Sequence, residues 1–482
     1  MENIASVPVS IRPYIGVRHL GKSLCLYNLK RRESWVFQGS SSSVWQKLSE
    51  GQTAEDIGKS LGSRYNIPPE KIQNDVLKFV ENLWQRQIVD IPGREDISDE
   101  ERASLVTEEP HNKNAKMYEA ALDSEVLAKC IFDLLVPCNL RCRHCYLDFS
   151  ETDIMPFNVV TNYLDQLADH GCPELVFTGG EIFLRRDLLD IVAYAERKGF
   201  SIILLTNGNF ITKEKAKQLS KFHLDAVQIS LYGTTADLHE AVTLKPGTYD
   251  KSINGARYLV ELGVHVNFLY FVQQHNFEDA FRLPEFADNM GATYSFETKL
   301  VPNRNGSVDL IKHGVSLKQQ AELYRAGLVS HESKFVCTAA VSKARITAKG
   351  DVLPCELINT VSLGNLQQKS LSEIWDSQRR VKMRQDILGY KPNRCGSCTH
   401  TSECEPCAAM RGFNQDGHME APVSEACLLT TASLLSRGKE LDPASPFREY
   451  TDDCVQTVLS NESIPIMNTP LVQIIRSRAS GN

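Results

Sequence analysis

No stretch of the 482 residues approaches the roughly 20 consecutive apolar residues that a membrane span needs. "FSIILLT" at 200–206 is the most apolar run. The start, "MENIASVPVSIRPY", lacks the basic-then-apolar order of a secretory signal. No membrane association is expected, and the expected location is the cytoplasm. No arginine–lysine stripe is present either, and the net charge is −7, so nucleic acid is not an expected partner.

Cysteine, by contrast, is abundant. Fourteen are present, with three packed at 138–145 and seven between 337 and 427. In a reducing compartment such clusters bind metal or do redox work more often than they form disulfides. The other four, Cys25, Cys130, Cys172 and Cys454, read as small buried hydrophobes.

A chain of this length is expected to hold two to four domains. Residues 1–92 read as a small unit. "KSLCLYNLKRRESWVFQ" alternates like a hairpin, and three short helices follow, the second capped by Thr53 and the third opened by proline. Strands followed by three short helices suggest a winged helix. Residues 93–128 are polar, acidic and aperiodic, which predicts an exposed linker. From 129 to about 332 strands alternate with helices, which predicts an α/β fold with a parallel sheet or barrel. Strands are expected near 130–136, 174–178, 201–206, 225–231, 264–272 and 293–301. Residues 333–436 are rich in cysteine and short of long periodic elements, so metal is expected to replace a large core there. Residues 437–482 show no assignable pattern.

In "VPCNLRCRHCYLDFS" (136–150), Cys138, Cys142 and Cys145 follow the first expected strand. Four-iron clusters take thiolate ligands, and three from one loop leave one iron for an outside ligand. Cys-x3-Cys-x2-Cys resembles the signature of the radical S-adenosylmethionine superfamily. The order of the downstream motifs strengthens the likeness. Tyr146 comes next, "FTGGEIF" supplies Gly179, Gly180 and Glu181, "LLTNG" supplies Asn207, and "VQISLYG" supplies Ser230.

The resemblance implies a partial (β/α)6 TIM-like barrel that holds a [4Fe-4S] cluster and S-adenosylmethionine and generates a 5′-deoxyadenosyl radical. It implies that Tyr146 packs near the adenine. It also implies that the glycines admit the methionyl end and that the Glu181 carboxylate accepts its ammonium. Where some relatives carry an arginine for the cofactor carboxylate, this chain has Thr243, so that role does not transfer.

Cys337, Cys355, Cys395, Cys398, Cys404, Cys407 and Cys427 resemble the SPASM pattern, with one gap a residue short between Cys404 and Cys407. The family arrangement implies one auxiliary cluster on Cys395, Cys398, Cys404 and Cys427, and another on Cys337, Cys355 and Cys407. The latter's fourth ligand is left open, and the clusters total three. Cys-x2-Cys pairs taken alone also suit structural zinc.

The first ninety residues resemble the PqqD-like leader-recognition domain of peptide-maturation systems, to which a precursor's leader adds a strand at a sheet edge. Together these modules resemble radical maturases of ribosomally made peptides, the thioether-forming sactipeptide enzymes of the subtilosin type in particular. Such enzymes take electrons from a flavodoxin or ferredoxin. The alternatives are carbon–carbon or carbon–oxygen crosslinking or epimerisation on the same scaffold, sulfatase-type oxidation of a protein residue, and a zinc-stapled peptide-binding or regulatory protein. No acid or base is assigned; Glu297 and Arg304 lie at and beyond the sixth strand.

Overall fold

The computed structural model describes residues 5–98, 114–299, 313–330, 336–358, 361–389, 399–400, 402–404, 407, 409 and 425–439. Its N-terminal unit is an antiparallel meander of β2 (Ile15–Leu20), β3 (Ser23–Asn28) and β4 (Glu33–Phe37), while β1 (Ser10–Ile11) pairs with β5 (Val89–Asp90). Three helices, Ser40–Ser49, Ala54–Tyr65 and Pro69–Gln85, cover one face. Thr53 and Asp56 form a capping box that starts the second, and Pro69 opens the third. Val76, Val80 and Leu83 recur at helical spacing and share a core with Leu24, Leu26 and Trp35.

The opposite face of the meander holds Cys25 and Tyr27, and it packs on the helix Ala115–Asp123 through Met117, Ala120 and Ala121. This corrects the expectation of a linker through 128. The three apolar positions make one short stripe, hidden in the sequence by polar flanks.

Six parallel strands follow, each hydrogen-bonded to the next in chain order: β6 (Lys129–Leu135), β7 (Glu174–Gly179), β8 (Ser201–Thr206), β9 (Ala226–Leu231), β10 (Val266–Phe271) and β11 (Thr293–Glu297). Alternation sends Phe132, Phe177, Leu204, Ile229 and Phe268 outward under the helices. Ile131, Val176, Ile203, Leu205 and Ala226 make a separate inner cluster. Between β10 and β11 the chain forms two short helices, Phe277–Ala280 and Leu283–Met290, with Pro284 in the first turn of the second.

The N-terminal unit closes the barrel at the strands' N-terminal ends. Arg18 donates to the carbonyls of Cys172 (2.8 Å) and Lys198 (2.7 Å), and Tyr27 donates to Asp225 (3.0 Å). The backbone of Gly16 runs so close to Gly199 that a Cβ would stand 2.4 Å from its carbonyl oxygen. The face of the meander that carries Gly16, Arg18 and Tyr27 is thus turned to the barrel.

The cysteine-rich region was expected to lack a sizeable core, and the structure differs. β12 (Lys343–Ile346) runs parallel beside β6, and β13 (Asp351–Leu353) and β14 (Gly364–Asn365) continue antiparallel, giving a nine-stranded sheet. Trp375 is buried against the barrel and donates to the Glu125 carbonyl at 3.1 Å. Among the described residues, no helix is long and apolar enough to cross a membrane.

Candidate active site

The loop after β6 returns on its own stem. Val136 N donates to Asp153 O at 2.8 Å, Met155 N donates to Leu134 O at 3.1 Å, and Leu135 bridges Ile154. Arg185 staples this base, donating to the carbonyls of Leu134 (3.0 Å) and Met155 (2.6 Å) while Asp187 holds its guanidinium. Cys138, Cys142 and Cys145 are all half-buried within the loop. Burial pushes the Cys142 thiol up, and Cys145 and Cys138 push it further, so the three sulfurs act on one another.

Gly179 and Gly180 fit against the loop's stem. Gly179 has φ 129°, in the region that favours glycine, and a Cβ on it would stand 2.1 Å from Leu135 O. A Cβ on Gly180 would stand 2.1 Å from Pro137 O and 2.3 Å from Val136 O. The glycines therefore bring β7 against the residue that precedes Cys138.

Glu181 departs from its expected role. Its carboxylate is fully buried and accepts from Phe183 N (2.9 Å), Thr206 Oγ1 (2.7 Å) and Asn207 N (2.9 Å). It is turned into the protein and clasps the ends of β7 and β8, because three donors there offset the cost of burying a carboxylate. Asn207 Nδ2, held by this clasp, donates to Asn139 Oδ1 at 2.8 Å and lies 4.0 Å from Cys138 Sγ.

Ser230 ends β9. It and Cys142 both hydrogen-bond the buried Tyr232. Tyr232 carries no signal in the sequence beyond its place after Ser230 in "SLYG". Its ring stands 4.9 Å from that of His144, and Phe271 lies 5.0 Å away on the same imidazole. His144 is thus turned into the protein against two aromatic rings. Burial lowers His144 to about 4, with His313 and His275 adding to the effect, so it is neutral at pH 7. Thr243 is buried and bonded to Thr248 at 2.8 Å, in keeping with the withheld role. Nearby, Lys245 Nζ donates to the Asn139 carbonyl at 3.2 Å. The Tyr146 hydroxyl accepts from Arg345 of β12 at 2.6 Å.

Of the later cysteines, Cys395 and Cys398 lie outside the described residues, as do Arg304 and Cys454. Cys337 and Cys355 share an apolar cluster, Cys404 and Cys407 share the neighbouring one, and Leu357 and Ala409 pack in both. Cys355 is raised to about 12, chiefly by burial, with Glu356 and Cys407 contributing. Cys427 lies in the first turn of the helix Glu425–Ser436, which packs on the helix Leu317–Arg325. Among the described residues no three His, Cys, Asp or Glu side chains converge on a single metal ion. The thiolates of a four-iron cluster each bind a different iron and need no such convergence. Cys25, Cys130 and Cys172 are buried, as expected of hydrophobes. Glu297, at the end of β11, is raised by burial.

Comparison with known proteins agrees with this layout. Residues 136–287 match the model of the radical SAM superfamily, 337–405 that of the SPASM iron–sulfur cluster-binding domain, and 24–89 that of coenzyme PQQ synthesis protein D. The AdoMet-dependent heme synthase of Oleidesulfovibrio alaskensis is 25% identical over 327 residues, covering 58% of this chain and 82% of that one. The antilisterial bacteriocin subtilosin biosynthesis protein AlbA of Bacillus subtilis is 24% identical over 305 residues, covering 59% and 68%. The fold is similar to that of Streptococcus suis SuiB, solved with its precursor peptide SuiA, at a TM-score of 0.56 and 18% identity, covering 82% and 94%. The domains imply S-adenosylmethionine and iron–sulfur clusters as cofactors. The chain is an enzyme that carries a radical SAM domain between a PqqD domain and a SPASM domain.

Proposed function

We propose that this enzyme matures a ribosomally made precursor peptide in the cytoplasm by forming cysteine thioether crosslinks. The observation that carries the reading is the placement of two modules on one barrel. The three-cysteine loop stands at the C-terminal end of β6, and the PqqD unit is fixed to the opposite end. AlbA, named for subtilosin biosynthesis, and SuiB, seen with a precursor peptide, support a peptide substrate.

Cys138, Cys142 and Cys145 would hold the cluster that shares an iron with S-adenosylmethionine; bound there, the pair supplies one-electron hydrogen abstraction from carbon. Gly179 and Gly180 would keep the backbone low beside the cofactor, Tyr146 would pack on its adenine, and Asn207 and Ser230 would face it. Cys337, Cys355 and Cys407 would hold one auxiliary cluster and Cys395, Cys398, Cys404 and Cys427 the other, making three. A flavodoxin or ferredoxin supplies electrons. The leader docks along the edge of β4 at Trp35–Phe37, where Phe37 meets Phe79 edge-on at 5.2 Å. The proposed domains are 1–92, 129–332 and 333–436 with a C-terminal extension over 437–482, and within the 93–128 connection Ala115–Asp123 packs on the meander.

A tetrapyrrole substrate is the second reading, favoured by the similarity to heme synthases over most of their length. Co-expression with candidate precursor peptides separates the two, because each thioether removes two hydrogen atoms from the peptide. That mass loss, abolished by deleting residues 1–92, is the expected result. Turnover of a tetrapyrrole with no peptide modified would overturn the proposal.

A further inference from the structure

Arg345 is a charged residue with no place in any cysteine motif, yet it is only 2% exposed. It stands on β12, opposite Ile131 of β6. Its guanidinium meets the buried Asp133 in a fork, Nε to Oδ2 at 3.1 Å and Nη2 to Oδ1 at 2.9 Å. The same Nη2 donates to the Tyr146 hydroxyl at 2.6 Å, and the guanidinium carbon lies 4.7 Å from that ring's centroid. Tyr146 directly follows Cys145. Arg345 in turn sits on the strand pair that ends two residues before Cys355. A second, more exposed tie runs from Lys349, in the turn of that pair, to Glu151 at 2.5 Å.

We propose that Arg345 is a positioning residue that fixes the Tyr146 ring, and with it the cysteine loop, to the strand leading into the auxiliary-cluster module. A planar guanidinium suits this role, because it satisfies both carboxylate oxygens and still has an N–H to aim at the phenol. Asp133 sets the guanidinium, the guanidinium sets the ring, and the ring sets the surface offered to the adenine. The last step rests on the radical SAM reading of the loop.

Two conservative variants test it. Tyr146→Phe keeps the ring and deletes only the hydroxyl. Arg345→Lys keeps a cation for Asp133 and loses the fork. Hydrogen exchange over residues 141–147 in the apoprotein tests the tie without any cluster. Equilibrium dialysis of S-adenosylmethionine and the electron paramagnetic resonance of the reduced, reconstituted enzyme test its consequence. Both variants should fold with wild-type iron and a modestly lower melting temperature, exchange faster in the loop, and bind S-adenosylmethionine about tenfold more weakly, as for loss of one charge-assisted hydrogen bond. The resonance shift on adding cofactor should change, and the double variant should lose no more than either single one. Wild-type loop protection in both variants would overturn the tie. Faster exchange with unchanged affinity and spectrum would overturn its role in positioning. A wild type that binds no cofactor would instead defeat the radical reading and leave the exchange result to stand on its own.

Discussion

The carbonyl oxygen of Pro137 occupies the place a side chain at Gly180 would need, 2.1 Å from the ideal Cβ position. Real Cβ atoms do not come so close to backbone, so β7 and the stem of the cysteine loop can meet only through glycine. Gly180→Ala should therefore push the stem away, costing about 1–3 kcal/mol as overpacking does. A lowered melting temperature with reduced iron after reconstitution is the expected outcome, and unchanged iron would show that the stem tolerates displacement.

Glu181→Gln keeps shape but sets an amide among three donors, Phe183 N, Thr206 Oγ1 and Asn207 N. Only one oxygen then remains to accept, and a loss of about 1–3 kcal/mol is expected from the stranded donors. Chemical denaturation measures it. S-adenosylmethionine affinity should fall only in proportion to the displacement of Asn207; complete loss of binding in a fully folded variant would restore the carboxylate to the cofactor.

Much of this site is legible in sequence because it is local. Three cysteines, two glycines, Asn207 and Ser230 each stand at a strand end, and six strands place them at one end of a barrel. Arg345 is not legible, since its partner Asp133 lies 212 residues away and a buried arginine in a strand looks like any other. Arg185 and Tyr232 escape for the same reason, as their roles lie in carbonyls and thiols that only folding brings near. Glu181 is visible as a carboxylate in a cofactor loop, but its three donors are not.

His239 is fully buried and lowered to about 4 by desolvation. Its folded-state value is below the unfolded one near 6.5, so the unfolded chain binds the extra proton between them. Stability should fall as pH drops from about 6.5 to about 4, by about 3 kcal/mol in total from this residue. His239→Phe should flatten that limb of the stability–pH curve in denaturant titrations; an unaltered limb would assign it to other groups.

Arg18 joins the PqqD unit to the barrel through the carbonyls of Cys172 and Lys198, with its guanidinium 4.7 Å from the Phe200 ring centroid. Arg18→Ala should cost about 1.5–3 kcal/mol, the range for hydrogen bonds to a charged group. Limited proteolysis between the unit and the barrel should accelerate, and peptide modification should weaken while S-adenosylmethionine cleavage without peptide persists. Equal loss of both activities would mean that the contact supports the barrel itself.

The most direct test is to quantify iron and sulfide in the anaerobically reconstituted wild type and in a Cys138/Cys142/Cys145→Ala triple variant. About twelve irons should fall to about eight, at ~4 per cubane, with reductive cleavage of S-adenosylmethionine abolished. Unchanged iron in the triple variant, or cleavage that survives it, would contradict the assignment of the radical cluster to this loop.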